Sequence, residues 1–218
     1  MLLVAASALL WSQVANQGGS TPAVITFTLD FPQSRPAHYS ISVDASGHAI
    51  YECAAKVAED SEDEPYRAEF EVSTATRQKI FEWARQAQFF AGKIDSGNNK
   101  LAFTGTKSLS FHDGQRSNQA QFNYSKLEPV QQLTVLFQNM AGTQEFGHRL
   151  DYYHRYQKLA LDDELKHMER EAKSNELSEI AGVATILRQI ADDPSVMNVV
   201  RARAQELIRM AKGDDANH

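Results

Sequence analysis

Between residues 24 and 53 the chain reads Val24-Ile25-Thr26-Phe27-Thr28-Leu29-Asp30, then Tyr39-Ser40-Ile41-Ser42-Val43, then Ile50-Tyr51-Glu52-Cys53. Threonines alternate with Ile25, Phe27 and Leu29, and serines alternate with Tyr39, Ile41 and Val43. A period of two puts one row of side chains in a core and the other in water, so these segments read as half-buried strands. Asp44-Ala45-Ser46-Gly47 is the turn that sends the third strand back antiparallel, with Gly47 supplying a positive φ. An acidic run from Glu59 to Glu64, closed by Pro65, reads as a solvated loop before a further strand around Tyr66 to Val72.

Downstream of these strands, Ser73 or Thr74 caps a helix that carries Ile80, Phe81, Ala84, Ala87 and Phe90 at helical spacing and ends at Gly92. Two more strands are expected near Leu101 to Phe111 and Ser117 to Tyr124, followed by a helix opened by Pro129 with Val130, Leu133, Phe137 and Met140 on one stripe. This order describes an α+β fold, an antiparallel sheet with helices on one face. After Ala141-Gly142-Thr143 the period becomes 3.6. One helix is expected to carry Phe146, Leu150, Tyr153, Leu161, Leu165, Met168 and Ala172. A second opens near Ser174 or Asn175, and a third, capped by Asp193, begins at Pro194 and ends at Gly213. The expected organisation is residues 1–20 as a signal peptide and flexible segment, 21–142 as the sheet domain, 143–213 as a three-helix antiparallel bundle, and 214–218 as a disordered tail.

The composition narrows the function. The chain has 218 residues and a net charge of −6, and the charge is evenly spread: residues 1–142 and residues 143–218 each hold 11 basic and 14 acidic side chains. A duplex nucleic-acid binder neutralises phosphates with a basic surface, and no segment offers one. The first charged residue is Asp30, and Leu2 to Trp11 is apolar at signal-peptide length. Export to a periplasm or the cell exterior is therefore expected, although no Lys or Arg precedes the apolar run; a buried N-terminal helix of a cytoplasmic protein is the alternative. No run approaches the roughly 20 apolar residues of a membrane span, so no transmembrane anchor is expected in the mature chain.

Chemistry-bearing patterns are few. Glu145-Phe146-Gly147-His148 and Glu164-Leu165-Lys166-His167 both read Glu-x-x-His, the spacing that places a carboxylate and an imidazole side by side in di-iron bundles. They start 19 residues apart. On one continuous helix, at about 1.5 Å per residue, roughly 28 Å separates them, too far for a shared metal pair. The expectation is two polar pairs on helix surfaces, with a metal site at Glu145, His148, Glu164 and His167 as an alternative. His148, Tyr152 and Tyr156, with Leu159, form a second face on the same helix. The expectation is that the sheet domain covers and buries the two tyrosines; the alternative is a stacking platform for a small ligand or a protein partner, such as a sugar, a peptide or a single-stranded base. Gly105-Thr106-Lys107-Ser108 echoes a phosphate loop with the wrong spacing, and Cys53 alternates within a strand as a small core residue. No dinucleotide fingerprint, nucleophile elbow, His-Glu-x-x-His or paired-cysteine site is present, so no cofactor is expected. The sequence reading is a non-enzymatic exported binding or structural module. An enzyme using His148, His154 or His167 with carboxylates in an inter-domain groove is the rival.

Overall fold

A computed structural model describes residues 22–55, 64–98 and 100–216. The apolar run from Leu2 to Trp11, expected to be a signal peptide, and the acidic run from Glu59 to Asp63 lie outside them. Six strands, β1 (Val24–Asp30), β2 (His38–Asp44), β3 (His48–Ala55), β4 (Glu64–Glu71), β5 (Thr106–His112) and β6 (Ser117–Phe122), form one antiparallel sheet in the order β4-β3-β2-β1-β5-β6. The period-two rows do what their chemistry requires. Ile25, Phe27, Leu29, Tyr39, Ile41, Val43, Tyr51 and Leu109 are buried on one face, while the threonines and serines between them take the other. Gly47 turns at φ 104°. The protein is thus α+β, with the helices that meet the sheet packed on its apolar face. β5 starts at Thr106 rather than Leu101.

Helix α1 (Thr74–Gln86) is capped as expected, Ser73 Oγ accepting the Thr76 amide at 3.2 Å. It does not reach Gly92. Gln88, Phe89 and Phe90 instead turn left-handed, with φ of 52°, 50° and 62°. Left-handed backbone costs roughly 1–2 kcal/mol per non-glycine residue. Phe90 offsets this by burial, and the Phe89 ring lies 4.4 Å from that of Phe111, with the Arg116 guanidinium 4.5 Å above it.

Helix α2 (Glu128–Tyr156) runs 29 residues, about 43 Å, straight through Gly142, so the expected break there does not occur. Tertiary burial overrides the glycine. Val130, Leu133, Phe137, Met140 and Ala141 pack into the sheet core, and Phe146 and Leu150 pack into a second apolar cluster. The single helix expected over residues 143–172 also fails. The chain leaves α2 at Gln157, passes a short 3-10 turn, and folds back as α3 (Leu161–Lys173) against α2. The stripe appeared continuous because both segments face the same cluster from opposite sides.

The second expected helix is corrected in the same way. Asn175 and Glu179 are left-handed, at φ 57° and 59°, and interrupt any right-handed helix before α4 (Ala184–Asp192). Glu179 gains from this, since its carboxylate accepts both the Ser73 amide at 2.8 Å and the Ser73 hydroxyl at 2.9 Å. Helix α5 (Asn198–Ala216) begins four residues later than expected, because Asp193 accepts the Ser195 amide and hydroxyl in a local turn instead of capping a helix at Pro194, and it continues past Gly213.

Candidate metal centre at the sheet–helix seam

Cross-strand register places Tyr39, Cys53 and Tyr66 side by side on β2, β3 and β4. Tyr51 lies two residues before Cys53, on the same inward row. Helix α2 crosses above them and, by its i, i+3 and i+4 spacing, presents Glu145, His148 and Arg149 from adjacent turns. Glu145 is the hub. Its Oε1 accepts the hydroxyl of Tyr51, and the Cys53 Sγ donates to the same oxygen at 3.4 Å. Arg149 reaches the other oxygen at 3.8 Å. The His148 ring stacks on Tyr66 with centroids 3.8 Å apart and planes 10° from parallel. Cys53 Sγ, a Glu145 oxygen and a His148 nitrogen lie within 4.8 Å of one another.

The expectation that Glu145 and His148 form a surface pair is therefore overturned for Glu145, whose side chain is only 13% exposed and faces the sheet. The helix carries two apolar environments, and the face opposite the second cluster is covered by strands. The second motif does not join this cluster. Glu164 pairs with Arg149 at 2.7 Å, and His167 pairs with Glu171 at 2.7 Å with its ring edge-on to Phe146. Although α3 does fold back, the Arg149 guanidinium sits between Glu145 and Glu164, and a cation there repels a second one. The partner of Glu145 and His148 is Cys53, from residue 53. Sequence spacing could not disclose this, because the link is made across β3 and α2.

Burial controls the titration of this seam. The Cys53 thiol is pushed up to about 12, first by burial and also by the Glu145 charge, with the neighbouring Tyr51 hydroxyl acting in the opposite direction. Tyr66 is pushed up to about 12 by burial, then by Asp151, Glu145 and Cys53. Tyr39 and Tyr51 rise as well, for burial and then the same carboxylate. Cys53 at neutral pH is thus a protonated thiol, which is a poor nucleophile. A bound divalent cation would invert that preference, because a coordinating thiol gives up its proton.

The other candidates are dispersed. His154 pairs with Asp193 at 2.9 Å, so His148, His154 and His167 face three separate partners. Tyr152 and Tyr156 pack on each other with ring centroids 5.2 Å apart. Tyr156 is 70% exposed and Leu159 is 84% exposed, so the sheet domain does not bury this face as expected. Tyr156→Ala should accordingly shift stability by less than about 0.5 kcal/mol in a urea titration; a loss above about 2 kcal/mol would reveal packing around the ring. No family model matches the sequence, and no curated protein is found to match it.

Proposed function

We propose that the protein is a binding module for a divalent transition metal of the zinc type, held by Cys53, Glu145 and His148. The observation that carries this reading is the convergence of one thiol, one imidazole and one carboxylate within 4.8 Å at a largely buried seam. Zinc bonds of about 2.0–2.3 Å in tetrahedral geometry put ligand atoms about 3.3–3.8 Å apart, so a contraction of about 1 Å completes the set. Three mixed protein ligands with a fourth position left for water or a small ligand is the zinc arrangement that keeps an open site. Tyr51 then acts from the second layer, its hydroxyl orienting the Glu145 carboxylate, and Tyr66 fixes the plane of the His148 ring. Export through the apolar leader fits a module that meets its metal outside the cytoplasm.

Titration of chelator-treated protein with Co²⁺ should give a thiolate-to-cobalt charge-transfer band that saturates at one equivalent and is reversed by Zn²⁺. Cys53→Ser and His148→Ala should each weaken binding by at least about tenfold, and His167→Ala should not. Affinity should rise with pH, because binding must release the Cys53 proton. The absence of a saturable one-to-one band, or equal affinity in the Cys53→Ser, His148→Ala double variant, overturns the assignment.

A further inference from the structure

Lys107 belongs to no part of the metal seam. It shares the inward row of β5 with Leu109 and Phe111, so its side chain enters the protein instead of solvent and is 5% exposed. Its Nζ donates to the Thr104 carbonyl at 3.2 Å, the Thr104 hydroxyl at 2.9 Å and the Asn123 carbonyl at 3.1 Å. Three acceptors around one nitrogen select the ammonium. A neutral amine has two N–H bonds and would aim its lone pair at the third oxygen.

A buried charge ordinarily has an opposite charge beside it. Arg149 and Arg203, both mostly covered, have carboxylates at 2.7 Å and 2.5 Å. Lys107 has only neutral oxygens among the described residues. Lys107 also lines a cavity of about 290 Å³ between β5, β6 and the first turns of α2. Phe122 and Val135 give it an apolar wall. The Tyr124 hydroxyl accepts from Gln131 Nε2 at 3.0 Å and the Ser125 hydroxyl accepts from the Leu127 amide at 3.2 Å, which leaves each hydroxyl proton to donate. The cavity thus combines one unneutralised cation, two hydroxyl donors and an apolar surface.

The geometry points to a binding site for a small organic carboxylate with an aromatic or short aliphatic tail. The carboxylate supplies the missing counter-charge to Lys107 and accepts from Tyr124 and Ser125, and the tail lies on Phe122 and Val135. A cavity of about 150 Å³ is enough to hold benzene, so the space suits a ring acid or a six-carbon chain.

The test is calorimetric titration of the full-length chain with benzoate and hexanoate, each beside its uncharged counterpart, benzyl alcohol or hexanol. At least one acid should bind saturably at one site, at least about tenfold tighter than its alcohol. Lys107→Met, which keeps the length and removes the charge, should abolish that preference. Val135→Trp, a substitution at a half-exposed helix position, keeps the ammonium and fills the cavity, and should abolish binding even if Lys107→Met does not fold. Equal affinity for acid and alcohol, undiminished binding in either variant, or no saturable binding of either acid to the unmodified chain overturns the proposal.

Discussion

Phe137→Ala should cost about 4 kcal/mol and lower the melting temperature by roughly 10 °C. The ring is fully buried and stacks on Phe27 with centroids 5.5 Å apart and planes within 7°. It is the point where the central part of α2 meets β1, an interior strand paired with β2 on one side and β5 on the other. Truncation removes the transfer energy of a large aromatic and leaves a cavity that two rigid elements, a helix and a sheet, are poorly placed to close. The midpoint of urea denaturation measures the loss. A cost below about 1.5 kcal/mol would mean that α2 can settle onto the sheet without this ring and that the Phe27–Phe137 stack does not hold the core together.

The second large effect is alkaline. Tyr39, Tyr51, Cys53 and Tyr66 all line the seam below Glu145, and burial raises all four. The ordinary values are 9.0 for the thiol and 10.0 for the tyrosines, and in the fold Cys53 and Tyr66 move to about 12. In the metal-free protein, above pH 9 the unfolded chain sheds these protons while the folded chain keeps them, so stability is complete below the ordinary values and falls as pH rises through them. Each such group removes about 1.4 kcal/mol per pH unit within its window. Four groups together should take several kcal/mol between about pH 9 and pH 11, enough to unfold a protein of ordinary stability. Urea midpoints at a series of alkaline pH values test this, with Tyr66→Phe expected to flatten the slope. A midpoint unchanged across that range would show that the seam is open to water.

Most of the sheet was legible in the sequence, because period-two alternation is a local property and register follows from which face is apolar. The hairpin at Gly47 and the cap at Ser73 were legible for the same reason. The helical half was not. Gly142 reads as a stop, and only the two clusters on either side of it show why α2 continues. Leu150 and Leu161 read as one stripe, and only the pairing of Arg149 with Glu164 across the turn shows two helices. The candidate metal site was half visible. Glu145 and His148 declare themselves by spacing, whereas Cys53 joins them only when β3 and α2 are brought together in space.

The unbroken course of α2 governs how the molecule opens. Its amides from about Leu133 to Leu150 hydrogen-bond within a helix whose one end is anchored in the sheet core and whose other end is anchored in the second cluster. Releasing either end alone exposes apolar side chains while the remaining anchor still holds the helix in register. Sub-global openings that expose these amides to exchange are therefore disfavoured, and their protons should leave only when the whole molecule unfolds. The chain between α3 and α4, with its left-handed residues, and the turn after α1 should exchange far sooner. On a hydrogen-exchange map, then, the slowest protons would trace a single rod crossing both halves instead of two separate islands.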